Sequence, residues 1–243
     1  MTADTPKPYI EIRDVTMAYG ANVIQRDLNF TIGEGDIFVI MGGSGCGKST
    51  LLKHMLGLIP PSSGDILYQG TSFFLSDAAV QGAMRQGWGI TYQSGGLFSA
   101  MTLAENITLP LELYTRYTPA EIADIVAYKL ALVGLAGYQS YYPSEISGGM
   151  QKRAALARAI ALDPKILFFD EPSAGLDPIS SRLLDELIVQ IKESMGATVI
   201  MVTHELPSIF AISTNSVYLD NITRTMIAYG NPCLLYTSDA ADE

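Results

Sequence analysis

From Tyr9 to Met17 the chain alternates apolar and polar residues (Ile10, Ile12, Val15, Met17), the period of a half-buried edge strand. Ala18–Asn22 predicts a turn, and Val23–Ile32, rich in β-branched and aromatic residues, a second strand. Gly33–Asp36 turns again before Ile37–Met41, an unbroken apolar run that predicts a buried strand. Leu51–Leu56 then reads as helix, ending near Gly57 because Pro60 and Pro61 cannot continue it. A short strand is expected at Ile66–Tyr68, a short helix over Ser76–Arg85 and a strand over Trp88–Gln93.

The period changes after Thr102. Up to about Ala161 the signals are mainly helical. Thr118-Pro119-Ala120-Glu121 has the form of a capping box with proline at the first helical position. Ile122, Ile125, Val126, Leu130 and Val133 follow at helical spacing, and Gly134 predicts the stop. A further helix is expected over Ser147–Ala161. The α/β alternation then resumes: strand Ile166–Phe169 ending in Asp170, and a helix from Asp177-Pro178 to about Met195 with Gly196 as its C-cap. Strand Thr198–Val202 ends at Thr203-His204, and a final strand pair is expected at Val217–Asp220 and Thr225–Tyr229. The pattern is an α/β core into which a helical subdomain, about residues 94–161, is inserted.

Composition narrows the class. The chain has 243 residues, 48% of them hydrophobic, enough for one large domain with its own core. Two cysteines do not make a disulfide framework and fit a reducing compartment. Met1–Pro8 has no apolar leader pattern, and no apolar run approaches the ~18 residues of a membrane span, so a membrane role is expected through a partner. A net charge of −10 without a basic cluster disfavours nucleic acid as the ligand. The last eleven residues, Cys233–Glu243, match residue for residue the translation of a common sequencing-library transposon adapter. The expectation is a gene read through into adapter, with a single domain over residues 1–232. Discounting the segment removes three acids (Asp239, Asp242, Glu243) and leaves Cys46 as the one cysteine. Amplifying the gene from genomic DNA tests this: the expected product lacks these codons, and finding them there overturns the reading.

The chemistry is concentrated at Gly42-Gly43-Ser44-Gly45-Cys46-Gly47-Lys48-Ser49-Thr50. A G-x-x-x-x-G-K-[ST] run between an apolar strand and a helix is a phosphate-binding loop: glycines let the backbone turn, and its N–H groups face an anion. In that arrangement Lys48 reaches the outer phosphates and the Ser49 hydroxyl binds Mg²⁺. Asp170 stands at the carboxyl end of an apolar strand, where open α/β sheets bind ligands, and can hold the same metal. Glu171 follows and is free to orient or deprotonate a water attacking the γ-phosphate. Ser147-Gly148-Gly149-Met150 opens another helix and makes a second anion site, although Ser-Gly-Gly before a helix is also an ordinary N-cap. One chain rarely needs two such cradles, so this one is expected to serve the nucleotide of another copy.

These residues resemble the ATP-binding subunits of ABC transporters, over most of residues 9–230. Ile146–Met150 looks like the LSGGQ signature, with isoleucine for leucine and methionine for glutamine. The resemblance implies a P-loop NTPase fold of ABC type: a mixed β core, an N-terminal antiparallel β subdomain and an inserted helical subdomain. It implies that Tyr19 stacks on adenine, and that Gln93, the Q-loop glutamine, touches the metal and the attacking water. It implies that Ser173–Asp177 is the D-loop at a dimer seam, placing Asp177 by the nucleotide, and that His204 is the switch histidine near the γ-phosphate. Without it, an isolated tyrosine in a turn such as Tyr19 is usually a packing residue, and a lone histidine after a strand such as His204 is more often structural. Cys46 reads as a small filler and His54 as structural.

Two runs, Ser94-Gly95-Gly96-Leu97-Phe98 and Gln151–Ala159, are similar to the ATPases of Mla-type systems, which move phospholipid between Gram-negative membranes. This implies ATP and Mg²⁺ as cofactors, a homodimer sandwiching two ATP molecules, and a peripheral place at the cytoplasmic face of the inner membrane. The implied partners are an integral-membrane permease, an MCE-domain lipid-binding protein and a small STAS-domain subunit. Leu97-Phe98 is either an apolar tip for the permease or a core anchor. The alternatives are an ATPase of another ABC importer or lipoprotein-releasing system, and a soluble non-transport ABC protein. The latter usually carries a long coiled-coil insertion or a second nucleotide domain, and neither is legible in this sequence.

Overall fold

The computed structural model describes residues 8–93 and 95–239. Outside them lie residues 1–7 of the segment read for a leader, Ser94 of the first Mla-like run, and residues 240–243 of the expected adapter product. In chain order the elements are β1 (Ile10–Tyr19), β2 (Asn22–Ile32), β3 (Ile37–Gly42), α1 (Lys48–Met55), β4 (Ser63–Tyr68), β5 (Thr71–Ser72), α2 (Ala78–Gln86) and β6 (Trp88–Thr91). There follow α3 (Leu103–Tyr114), α4 (Pro119–Leu132), a 3-10 turn at Pro143–Glu145, α5 (Gly148–Ala159), β7 (Ile166–Asp170) and α6 (Pro178–Met195). The chain closes with β8 (Thr198–Val202), α7 (Leu206–Ile212), β9 (Asn215–Leu219), β10 (Met226–Gly230) and α8 (Pro232–Asp239). The backbone divides into two compact units, residues 1–85 with 198–243, and residues 86–197.

In the first unit β2, β1, β4 and β5 form an antiparallel sheet. A mixed sheet sets β9, β3 and β8 parallel, with β10 antiparallel on β9. β3 lies between β9 and β8, and its Ile37–Ile40 run is buried throughout, as a parallel strand covered on both faces requires. Each of these side chains stabilises the core by about 1.5–3 kcal/mol. Phe30 of β2 stacks on Phe38 of β3 with ring centroids 5.4 Å apart. The expected turn at Ala18–Asn22 is tighter than the sequence indicates: β1 runs on to Tyr19, which pairs with Asn22 around Gly20. Helix α7 has no forerunner in the sequence reading, and α8 spans the first residues of the expected adapter product.

In the second unit β6 and β7 pair in parallel, and Trp88 meets Phe168 edge-on at 5.5 Å. The capping box at Thr118 and Glu121 is formed as expected and starts α4. A second box, Thr102 with Glu105, starts α3. Each box satisfies backbone donors that a bare helix start leaves unpaired, a contribution of about 1 kcal/mol. Gly196 caps α6 in the left-handed conformation (φ 60°), as its position predicts. Residues 95–102, placed by sequence in the helical subdomain, form no helix; its helices begin at Leu103.

Candidate functional site

In the first unit β3 runs into the loop 42–47, and α1 starts at Lys48. Two glycines of this loop are required by space. A Cβ on Gly42 (φ 143°) would lie 2.3 Å from the Leu219 carbonyl oxygen, and one on Gly47 (φ 100°) 2.6 Å from Ile24 Cγ2. Gly47 is the N-cap of α1 and supplies no side-chain acceptor, so the first N–H groups of α1 gain no side-chain cap from it. That end of a helix favours an anion, and Gly43–Gly45 beside it are exposed. The Lys48 ammonium donates to the carbonyls of Gly42 and Gly43, each at 2.9 Å, which keeps its charge at the loop. Ser49 is half-buried on the first turn. Cys46 is buried, and burial pushes its thiol pKa up, so it packs as a neutral filler, as expected. His54 is buried too, with Nδ1 2.7 Å from the Ile59 carbonyl, and burial lowers its pKa; its role is structural.

Parallel pairing of Ile40 with Val202 brings Gly42 and His204, each two residues further on, out at the same end of the β3–β8 pair. His204 is exposed there, and Tyr19 is exposed at the end of β1. Gln25 of β2 went unread in the sequence. It is fully buried, and its Nε2 donates to the carbonyls of Cys46 and Asp220, both at 2.8 Å. One amide thus braces the phosphate-binding loop against the turn after β9. β2 also carries Arg26, Asp27 and Asn29, so its pattern along the chain does not single out Gln25.

The second unit carries the acids. Thr91 of β6 pairs with Phe169 of β7, so Gln93 and Glu171 leave the same end of that pair. Asp170 and Glu171 are half-buried. Glu171 holds φ at 50°, a left-handed conformation that costs a side-chain-bearing residue about 1–2 kcal/mol. Such strain persists only where the surroundings over-determine it, and it aims this carboxylate differently from that of Asp170. Ser147 Oγ accepts from Met150 N at 3.3 Å and caps α5. Asp177 caps α6: its Oδ1 accepts from Ile179 N (3.1 Å) and Ser180 N (3.0 Å), and Oδ2 from Ser180 Oγ (2.6 Å). The Ser180 hydroxyl and amide hold the Asp177 carboxyl below the usual carboxylate range.

Ser147, Gly148, Gly149, Gly175, Leu176 and Asp177 border one open cleft of about 700 Å³. A Cβ on Gly148 would meet nothing within 4 Å, and one on Gly149 would come no closer than 3.9 Å to the Leu176 side chain. Unlike Gly42 and Gly47, these glycines are not demanded by the chain's own packing. The space they leave faces outward.

The donors expected for Mg²⁺ are all oxygens, as a hard cation takes: the Ser49 hydroxyl in the first unit, the Gln93 amide and Asp170 carboxylate in the second. Among the described residues no group of three or more His, Cys, Asp or Glu side chains could hold a metal alone. With a single carboxylate among them, these donor types fit a cation carried largely by phosphates.

A family model described as ABC transporter matches residues 25–174. The probable ribonucleotide transport ATP-binding protein mkl of Mycobacterium tuberculosis is 40% identical over 230 residues, 95% of this chain and 64% of the relative. The chain therefore spans under two thirds of that protein's own length. The intermembrane phospholipid transport system ATP-binding protein MlaF of Escherichia coli K12 is 36% identical over 222 residues, 91% of this chain and 82% of the relative. Among solved structures, the dimeric post-hydrolysis state of the ATP-binding cassette MJ0796 bound to ADP and Pi superposes with a TM-score of 0.82 at 27% identity, covering 91% of this chain and 98% of that one.

Proposed function

The chain belongs to the ABC transporter family, and on that premise we propose that it binds and hydrolyses ATP to drive phospholipid through a membrane permease. The observation that carries the ATP reading is the strand–loop–helix with its two space-required glycines and its lysine at the loop. Tyr19, Gly42–Thr50 and His204, all of the first unit, are assigned to holding the nucleotide; Gln93, Asp170 and Glu171, all of the second, are assigned to metal and water. Ser147–Met150 and Asp177 serve the nucleotide of a second copy; the outward space at Gly148 and Gly149 supports this. Ser49, Asp170 and Gln93 are the assigned oxygen donors for Mg²⁺, which would neutralise charge at the phosphates. Lys48 and the loop amides bind and orient the phosphates. Glu171 takes the proton of the attacking water, and His204 orients the γ-phosphate.

The likeness to MlaF over 91% of this chain supports phospholipid as cargo. Exposed Phe98, Tyr114 and Tyr117 on the second unit offer an apolar surface to a permease. No described helix is long and apolar enough to cross a membrane. By the likeness to MlaF, the place we propose is peripheral, at the cytoplasmic face of the inner membrane. An MCE-domain protein and a small STAS-domain subunit complete the proposed assembly. A second reading, ribonucleotide transport, follows from the name of the mycobacterial relative. Co-expression with a partner permease, followed by reconstitution into vesicles, separates the two. ATP-dependent movement of labelled phospholipid is the expected result. Movement of labelled ribonucleotide without phospholipid overturns the cargo assignment.

A further inference from the structure

We propose that Lys152 is a positioning residue that ties Gln93 to α5, so that the anion-binding start of α5 and the Gln93 side chain shift as one body. The inference rests on the nucleotide-site reading above and deepens it. Three residues of α5, spaced by three, face one segment of chain. Lys152 Nζ donates to the Gln93 carbonyl. The Ala155 methyl lies 3.6 Å from where a Cβ of Gly95 would stand. Arg158 Nη1 donates to the Gly96 carbonyl, and its guanidinium lies 4.6 Å over the Phe98 ring. Residues at this spacing share a helix face, so α5 lies along the segment and meets it at successive turns.

Residues 93 and 95–98 of the segment belong to no helix or strand, and Gly95 (φ 81°) and Gly96 (φ 72°) stand consecutively in the left-handed region. Its far end is fixed elsewhere: Phe98 N donates to Asn106 Oδ1 at 2.8 Å, and Asn106 Nδ2 donates to the Phe98 carbonyl at 3.1 Å. At its near end Lys152 holds the backbone of the residue whose side chain is assigned to metal and water. The ammonium is half-buried and interacts with the Glu171 carboxylate, so its charge lies among the groups of the hydrolytic site. Lys152 follows Ser147–Met150 by less than one further turn of the same helix. Any ligand that pulls on the α5 N-terminus therefore pulls on Gln93 through a charged hydrogen bond.

The test is a double-mutant cycle on the full chain. Lys152→Met removes the donor and keeps the stem. It should lower kcat for ATP about tenfold, the scale of a lost charge-assisted bond, with KM within about twofold. Lys152→Arg should restore kcat to within about threefold of the starting protein. In a Gln93→Ala background, Lys152→Met should cost less than about twofold more, because the side chain it positions is gone. Lys152→Gln serves as the neutral comparison if the methionine variant unfolds by circular dichroism. An unchanged kcat in the folded Lys152→Met or Lys152→Gln variant, or a full additive loss on Gln93→Ala, overturns the inference. Absence of ATP turnover in the starting protein overturns instead the function on which it rests.

Discussion

Replacing Glu171 with glutamine leaves ATP bound and slows its hydrolysis by roughly 10²–10⁴-fold, the usual contribution of a positioned general base. The amide matches the carboxylate in shape but cannot accept the proton. Two acids follow one another at the end of β7, and their backbone conformations differ. Asp170 is the last strand residue and Glu171 the first beyond it, turned aside by a φ of 50°. A strained residue with a side chain is retained where its direction matters. Asp170→Asn should show the complementary loss, with weaker Mg²⁺-dependent ATP binding as well as lost turnover. Equilibrium binding of a fluorescent ATP analogue and phosphate release separate the two variants. With turnover blocked and binding intact, ATP should hold Glu171→Gln as dimers in size-exclusion chromatography, because the ligand favours the closed state and is no longer consumed. Normal phosphate release by Glu171→Gln removes the residue from this role.

The parts legible in the sequence are those where one residue type alone meets a local constraint. The loop glycines are of this kind: at Gly42 a Cβ would meet backbone only 2.3 Å away. The capping box at Thr118 and the C-cap at Gly196 are local too, and both stand where the pattern put them. Gln25 shows why other features stayed hidden. Leu28, Phe30 and Ile32 fill the buried face of β2, and by strict alternation Gln25 belongs on the other face with Asp27 and Asn29. Asp27 adopts φ 54°, and the register shifts between the Val15–Leu28 and Met17–Gln25 pairs, which turns Gln25 inward. No period read along the chain predicts that shift. Helix α3 lies in the stretch read as mainly helical, but its bounds are hard to set: its Thr102–Glu105 box is written in the sequence, and Pro110 interrupts the helical pattern before the helix ends. Nothing local marks Lys152 and Arg158, because their partners are the main-chain carbonyls of Gln93 and Gly96. The residues to which hydrolysis is assigned follow from local pattern, whereas the residues that hold their backbone depend on contacts distant in sequence.

A mixture of Ser147→Asp and Lys48→Ala chains should regain ATP hydrolysis that neither variant has alone. Aspartate keeps an N-cap acceptor for α5, so the helix start survives, but it places a negative charge where a phosphate should bind. Lys48→Ala removes the ammonium held at the loop by the Gly42 and Gly43 carbonyls. If each site combines the loop of one copy with the Ser147–Met150 segment of the other, every site in either homodimer carries one lesion. In the mixed dimer both lesions fall on the same site, and the other site is intact. Random pairing makes about half of the dimers mixed, each with one working site of two, so the mixture should reach roughly a quarter of the unmutated rate if the sites act independently. Mutual dependence of the sites lowers that figure without abolishing the gain. A site built from a single chain predicts no gain, since each chain then keeps its own lesion. Phosphate release before and after mixing reads the difference directly, and a mixture as inactive as its parts rules out the shared site. The outward space at Gly148 and Gly149 favours the gain, because nothing in the chain's own packing requires glycine there.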